Sequence, residues 1–279
     1  MTNLTNYHSH CSFCDGRADA EAFILEAIRQ GFYSYGVSSH APLPFSTHWS
    51  MEKKDMDAYI QEIECLRTRY ADRIEIYLGL EIDYLTDDYH PNIPFFQNLP
   101  LDYRIGSVHL LEDLAGELAD LDVAPEIFRQ KITDRFDNDL KRVVVGYFDK
   151  LMRMVEQGGF DIVGHADKIS MNASFCMPGI TFEKWYLDKI KEYFALIAEK
   201  EIMMEINTKA FDTKGYFFPN QHHFQLIRDL GIRIVVNSDA HYPEKINAGR
   251  PEALRALKEA GITEVYELLG NRWQGVGIE

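Results

Sequence analysis

Six of the ten histidines in this 279-residue chain come within a few residues of the end of a short apolar segment. These six are His8, His10, His40, His109, His165 and His241. Three carboxylates follow apolar segments in the same way, namely Asp15, Glu81 and Asp239. A buried charge without a partner is costly, so acids in such positions are expected to be paired or to bind cations. Imidazole nitrogen together with carboxylate oxygen suits zinc, iron or manganese better than magnesium or calcium.

The spacing of these side chains indicates a shared site. Residues at i and i+2 of a β-strand point to the same side, so His8 and His10 can reach one ion. Asp239 and His241 repeat that spacing near the other end of the chain. With about four protein ligands for each ion and one bridging carboxylate, the whole set suits two or three ions.

The elements that position these residues alternate along the whole chain. Strands are predicted near residues 4–8, 34–38, 74–81, 103–108, 161–164, 202–206 and 233–237, and helices at about 18–30, 51–70, 138–157, 182–199, 221–230 and 251–260. This alternation is typical of β/α units around a parallel sheet. Seven strands suit a closed barrel, although an open doubly wound sheet would give a similar pattern. The histidines favour the barrel, because loops after its strands converge on one mouth.

The domain organisation predicted from the sequence is a single α/β barrel over residues 1–279. No internal repeat or linker divides the chain. The segment at about 112–136 interrupts the β/α pattern, is rich in charge and directly follows a predicted strand. We therefore expect it to be an insertion that lies over one face of the barrel.

Composition excludes several classes of protein. With 29 basic and 44 acidic residues, a net charge of −15 and 46% hydrophobic residues, the chain is expected to be globular. It has neither an apolar run of about 18 residues nor a signal-peptide pattern, so we expect a cytoplasmic protein without membrane contact. Nucleic-acid binding is not expected, because there is no basic cluster. The four cysteines, Cys11, Cys14, Cys65 and Cys176, are too few for a disulfide framework, and we expect reduced thiols.

Six motifs, in order over nearly the whole chain, resemble the polymerase and histidinol phosphatase (PHP) superfamily. They are HSHCSFCDG, SSHAP, GLEIDY, GSVHLL, IVGHADK and NSDAHYP. Within that superfamily, the segment from Ala41 to Tyr84 is most similar to the monofunctional histidinol-phosphate phosphatases. The resemblance implies a distorted (β/α)7 barrel that holds three divalent metal ions and hydrolyses a small phosphate ester, L-histidinol phosphate.

The same resemblance implies a ligand set for each ion. The first ion would be bound by His8, His10, Glu81 and Asp239, the second by Glu81, His109 and His165, and the third by Asp15, His40 and His241. A hydroxide that bridges the ions is the expected nucleophile, because coordination can lower the pKa of water to about 7. The third ion is expected to stabilise the leaving alkoxide. The expected catalytic residues are therefore Asp15, His40, Glu81 and His241.

The sequence also contains candidates for contacts with the substrate. Four basic residues are candidates for binding the phosphate, namely Lys168, Lys209, Lys214 and Arg250. Each lysine could equally be a solvated surface charge. The loop after His40 contains Phe45, His48 and Trp49, which could wall the pocket or simply pack. The remaining histidines, His90, His222 and His223, are expected at the surface.

Three questions stay open at the level of sequence. The enzyme could be a phosphoesterase for another small phosphate ester or a nucleotide, or the chain could be a metal-binding module without catalysis. The C-x-x-C formed by Cys11 and Cys14 could bind zinc or have a redox role, but plain thiols in a turn are favoured because no second pair accompanies it. The sequence does not determine the oligomeric state.

Overall fold

Seven short parallel strands form the centre of the protein in a computed structural model that describes residues 3–278. The strands of the chain are β1 (Thr5–Asn6), β2 (Ser34–Val37), β3 (Glu75–Asp83), β4 (Tyr103–Ser107), β5 (Leu110–Glu112), β6 (Leu118–Asp120), β7 (Ile162–Val163), β8 (Met203–Asn207), β9 (Ile234–Asn237), β10 (Glu264–Leu269) and β11 (Arg272–Gly277). The central sheet has the order β1-β2-β3-β4-β7-β8-β9. Its ends meet through a parallel bridge between Ser9 and Ala240. The fold is therefore a distorted (β/α)7 barrel in a single domain, as predicted.

The helices surround the barrel, and within residues 3–278 there are ten of them. They are α1 (Ala20–Gln30), α2 (Met56–Arg69), α3 (Pro94–Gln97), α4 (Pro125–Arg135), α5 (Leu140–Gln157), α6 (Ile169–Cys176), α7 (Lys184–Glu199), α8 (Phe211–Lys214), α9 (Phe224–Asp229) and α10 (Arg250–Glu259). The six predicted helices correspond to α1, α2, α5, α7, α9 and α10. The others were not predicted, because α3, α6 and α8 are too short to show a periodic pattern and α4 lies in the charged segment. None of the helices in the described residues has the length and apolar content that a membrane span requires.

Aromatic side chains fill the barrel below the level of the predicted ligands. The Tyr103 ring is completely buried, and its hydroxyl donates a hydrogen bond to the Tyr7 carbonyl oxygen at 2.6 Å. Gly36 and Gly79 leave the space for this ring, since a Cβ atom at either position would lie 2.2 to 2.3 Å from a Tyr103 atom. The β10–β11 hairpin, which the sequence did not predict, covers this end of the barrel through Trp273, whose ring contacts Tyr7.

The charged segment that was expected to be an insertion lies beside the opposite end of the barrel. It consists of the antiparallel β5–β6 hairpin followed by α4. The Leu121 amide donates a hydrogen bond to the His109 carbonyl oxygen at 2.8 Å. The Asn172 side chain, on α6, donates to the Val123 carbonyl oxygen at 2.9 Å. These contacts hold the segment next to the carboxyl ends of the barrel strands.

Two histidines that were expected at the surface are buried. His90 is 8% exposed and His223 is 3% exposed. Burial lowers the pKa of His223 to about 3, so this side chain is neutral in the folded protein. Both sit in packed surroundings, His90 next to Tyr84 and His223 next to Phe194, which the sequence pattern around them does not reveal.

Candidate metal centre

All nine predicted metal ligands lie around one mouth of the barrel. They sit in the last residues of the barrel strands or in the loops that follow them, and parallel strands bring these ends to the same edge. β1 ends at Asn6, so His8 and His10 lie just beyond the regular strand, with ring centroids 5.1 Å apart. The i, i+2 spacing still places both rings in the same cluster.

The ligand atoms form four groups in which every atom lies within 4.8 Å of the others. The groups are His10–Asp15–His40–His241, His8–His10–Asp239, Glu81–His109–His165 and His40–Asp83–His109. The Glu81–His109–His165 group is the ligand set predicted for the second ion. The His10–Asp15–His40–His241 group contains the three residues predicted for the third ion together with His10. Glu81 also approaches the His8–His10–Asp239 group, with its Oε2 atom 3.2 Å from His8 Nε2. The fourth group was not predicted.

Glu81 lies at the centre of the cluster. Its side chain is 1% exposed. One carboxylate oxygen, Oε2, lies 2.8 Å from His40 Nδ1, and the other, Oε1, lies 2.9 Å from His165 Nε2. Ser107 on β4 donates a hydrogen bond to Oε1 at 2.7 Å. The two oxygens therefore face different histidines, as a carboxylate that bridges two cations requires.

Several buried polar atoms at this mouth lie close to one another without the angles of a hydrogen bond, and they have no hydrogen-bond partner within the described part of the chain. They are His8 Nε2, His10 Nε2, Asp15 Oδ1, His40 Nδ1, Glu81 Oε2 and His165 Nδ1. Each unpaired buried polar atom costs about 1 to 3 kcal/mol, so this concentration in one place requires a common partner. All are nitrogen or carboxylate oxygen atoms, which bind cations. The donor set therefore fits divalent ions, and its mixture of imidazole and carboxylate suits zinc, iron or manganese.

The pKa values of two histidines at the site are shifted in ways that bear on metal binding. Burial lowers the pKa of His10 well below its usual value, and the neighbouring His241 lowers it further. Neutral imidazole is the form that binds metal ions. Burial lowers the pKa of His109 as well, but the carboxylates of Asp83 and Glu81 outweigh that effect and raise it to about 10. A metal ion at His109 would take the place of that proton.

Carboxylates that sequence analysis missed orient two of the predicted ligands. His8 Nδ1 lies 2.7 Å from the Glu205 carboxylate, and His109 Nδ1 lies 3.0 Å from Asp83. Such partners select the ring nitrogen that remains available for a metal ion. Asp83 could have been found from its i+2 position after Glu81, which puts both on the same side of β3. Glu205 stands in the middle of β8, and no spacing rule connects it with His8.

A pocket of about 370 Å³ opens above the cluster. Trp49 and His48 form part of its wall, with the Trp49 ring centroid 4.9 Å from that of His40. Residues of the charged segment also line it, including Asp120, Asp122, Val123 and Ile127. Phe45 is exposed and is not among the lining residues. The pocket is therefore acidic and partly aromatic above the ligand cluster.

The four basic candidates for phosphate binding are found in different places. Lys209 lines the pocket, and its Nζ atom lies 3.0 Å from Asp239 and 3.5 Å from His241 Nε2. Lys168 is largely buried and lies 3.0 Å from the Asp122 carboxylate. Lys214 is exposed at the end of α8 and does not line the pocket. Of the three lysines, Lys209 alone lines the pocket, and Lys168 is joined to it through the lining residue Asp122.

The prediction that Arg250 contacts substrate is corrected by its position. Arg250 is 2% exposed, and its guanidinium lies over the Phe32 ring. It also donates a hydrogen bond to the Asn3 carbonyl oxygen at 3.4 Å. Phe32 and Asn3 precede β2 and β1, so Arg250 lies at the end of the barrel opposite the pocket. The sequence places Arg250 after the last barrel strand, but α10 turns its first side chain away from the mouth.

A β/α barrel with clustered histidine and carboxylate ligands at the carboxyl ends of its strands defines a class of metal-binding barrel proteins. The sequence model of the PHP domain matches residues 6–209, and this chain belongs to the PHP domain family. A probable histidinol-phosphatase from Schizosaccharomyces pombe is 27% identical over 92% of this chain and 87% of its own length.

Solved structures share the fold over nearly the full chain. A crystal structure from Listeria monocytogenes has a TM-score of 0.79 at 23% identity and covers 89% of this chain and 99% of that chain. The Lactococcus lactis histidinol phosphate phosphatase, crystallised with zinc, L-histidinol and phosphate, has a TM-score of 0.70 at 22% identity. It covers 98% of this chain and 99% of its own.

We expect the purified protein to carry two to three transition-metal ions per chain, because the ligand groups can hold that many. Elemental analysis after anaerobic purification without chelator measures this number. His48→Ala is a suitable control, since His48 lines the pocket but belongs to none of the ligand groups, and it should leave the metal content unchanged. One ion or none in the wild-type protein would contradict the assignment of the centre.

Proposed function

We propose that this protein is a metal-dependent phosphomonoesterase that hydrolyses L-histidinol phosphate to L-histidinol and phosphate. The observation that carries the proposal is the cluster of unpaired nitrogen and oxygen atoms at the base of an acidic pocket. Relatives named histidinol-phosphatase or probable histidinol-phosphatase cover more than nine tenths of the chain and support the choice of substrate.

The ligand groups would hold up to three divalent ions with the residues assigned to them above. When bound, such ions activate water and stabilise negative charge on phosphate oxygens. Glu81 would connect two sites through its two oxygens. Asp15, His40 and His241 line the pocket and are the most exposed of the predicted ligands, and they would act on the leaving-group side.

Two lysines would neutralise the phosphate group. Lys209 already lies at the level of the ligands, 3.0 Å from Asp239 Oδ1. Lys168 is held by Asp122, which outweighs the effect of burial and keeps the pKa of this lysine raised. Lys168 is therefore cationic at neutral pH, and Lys209 lines the pocket, where it can contact an anion.

The upper part of the pocket suits the rest of L-histidinol phosphate. Asp120 uses its Oδ1 atom to accept a hydrogen bond from the Asp122 amide at 2.9 Å, and its Oδ2 atom can accept from the ligand's ammonium group. Trp49 and Ile127 provide flat and apolar surface for an imidazole ring. We propose Asp120 as the group that recognises the ammonium, because Asp122 is already paired with Lys168.

We expect kcat/KM for L-histidinol phosphate to exceed that for glycerol phosphate and for a nucleoside monophosphate by roughly ten- to hundredfold. A lost charge contact in such a pocket is worth about 1 to 3 kcal/mol, and contacts remote from phosphorus discriminate between substrates. The three values are measured at one fixed metal loading. Asp120→Asn should reduce the preference and leave hydrolysis of glycerol phosphate nearly unchanged.

The matched control for this comparison is Glu126→Gln. Glu126 is exposed on the same segment and does not line the pocket, so its substitution should not alter the preference. Equal kcat/KM values for the three esters in the wild-type protein would exclude histidinol phosphate as the specific substrate. Hydrolysis that favours the nucleotide would support the alternative phosphoesterase, and no hydrolysis of any ester would support a metal-binding module.

A further inference from the structure

In three of the predicted metal-binding histidines, the ring nitrogen that faces away from the proposed ions lies next to an acceptor. His8 Nδ1 contacts Glu205 and His109 Nδ1 contacts Asp83, as described above. His241 Nδ1 lies 3.0 Å from the Asp239 carbonyl oxygen. Metal-binding histidines generally donate the second ring N–H to such an acceptor, and this bond fixes the tautomer and the ring orientation.

His10 has a different kind of neighbour at the same position. Its ring is completely buried, and Nδ1 lies 3.6 Å from the sulfur of Cys14. The Cys14 thiol in turn lies 3.5 Å from the Cys11 carbonyl oxygen, to which it can donate. The sulfur is thus placed to accept a hydrogen bond from His10 while its own proton is directed elsewhere.

The other nitrogen of His10 faces the metal centre. Nε2 lies 3.1 Å from Asp239 Oδ1 and 3.6 Å from Glu81 Oε2 and has no hydrogen-bond partner among residues 3–278. His10 belongs to two of the ligand groups. Cysteine belongs to none of the groups found in the described residues. The position of Cys14 is therefore behind the histidine rather than beside the ion.

The loop after β1 is built to bring Cys14 to this position. The Cys14 amide donates to the Cys11 carbonyl oxygen at 3.0 Å, which closes a turn. The backbone at Gly16 then packs so closely against the turn that a Cβ atom there would lie 2.1 Å from the His10 carbonyl oxygen. The Arg17 amide donates to the His241 carbonyl oxygen at 2.8 Å and attaches the loop to the neighbouring segment after β9.

We propose that Cys14 is a positioning residue for the metal centre. Its thiol sulfur accepts a hydrogen bond from His10 Nδ1, and this bond holds Nε2 towards the ions. This assigns a role to the second cysteine of the C-x-x-C pair, while Cys11 packs in the core against Ser39. The inference rests on the metal centre of the proposed function and does not depend on the identity of the substrate.

The test compares Cys14→Ala, Cys14→Ser and Cys11→Ala. Removing a residue that orients a metal ligand typically weakens metal binding by about 10- to 100-fold, so Cys14→Ala should raise the dissociation constant of one bound ion about tenfold. Chelator competition with Zn²⁺ measures it, and the visible absorption spectrum of the Co²⁺-substituted protein should change. Cys14→Ser keeps an acceptor and should recover most of the affinity. Cys11→Ala removes a buried thiol from the same turn but leaves the carbonyl acceptor, and it should bind metal like the wild type.

Two results would overturn the proposal. One is a Cys14→Ala protein with wild-type metal affinity and an unchanged Co²⁺ spectrum. The other is equal loss in Cys14→Ala and Cys11→Ala, which would show that the turn as a whole, and not the contact with His10, is responsible. Hydrolysis of L-histidinol phosphate by the wild-type protein is measured on the same preparations. If it is absent while metal binding depends on Cys14, the proposed function fails and this inference stands.

Discussion

Replacing Glu81 with glutamine is expected to reduce kcat/KM for L-histidinol phosphate by about a thousandfold and to lower the metal content by at least one ion per chain. The carboxylate lies between His8, His40 and His165, at distances of 3.2, 2.8 and 2.9 Å. An amide has no negative charge and offers one oxygen instead of two. Loss of one preorganised electrostatic contact in an active site costs about 10²- to 10³-fold in rate, and the loss of an ion places the expected effect at the upper end.

A matched control for this substitution is Glu267→Gln. Glu267 is also 1% exposed, and it accepts hydrogen bonds from Asn3 and Tyr33 at the opposite end of the barrel. Its substitution should leave the metal content and the choice of substrate unchanged, whatever its effect on folding. Steady-state kinetics and elemental analysis are performed on both variants. Wild-type turnover and full metal content in Glu81→Gln would show that Glu81 does not bridge the ions.

Replacing Gly79 with alanine is expected to destabilise the protein by about 3 kcal/mol, the upper end of the usual cost of overpacking a core. The new Cβ atom would lie 2.3 Å from Cζ of Tyr103. That ring cannot easily move, because it is completely buried and its hydroxyl is bonded to the Tyr7 carbonyl oxygen. Urea unfolding at a fixed metal concentration measures the free energy of unfolding.

The matched control is Gly146→Ala on α5. A Cβ atom there meets only Leu111 at 3.6 Å, an ordinary contact, and alanine favours the helix by up to about 1 kcal/mol. Gly146→Ala should therefore be neutral or stabilising. A double variant separates strain at Tyr103 from other effects. When Tyr103→Leu is added to Gly79→Ala, the protein should recover part of the stability that Gly79→Ala lost. If Gly79→Ala unfolded at the same urea concentration as the wild type, the close approach of the ring would be disproved.

The barrel strands and the candidate metal-binding residues could be predicted from the sequence, because both depend on local features. The period of apolar residues is a property of neighbouring positions, and all seven barrel strands lie within two residues of their predicted ends. His8, His10, Glu81 and Asp239 stand at strand ends, and parallel strands bring their carboxyl ends together whatever lies between them. The motifs around these residues also carried the resemblance to the family to which the chain belongs.

The contacts behind and above the ligands were decided by the tertiary structure alone. Glu205 meets His8 across 197 positions of sequence. Asp120 comes to the pocket because an unpredicted hairpin folds beside the mouth, and Arg250 is directed away from it by the start of α10. Such pairs depend on distance and side-chain direction in space, and no local pattern records either. The sequence by itself therefore determined which residues could bind metal ions. Only the fold decided which groups orient those residues, which groups line the pocket, and which predicted residues lie away from the site.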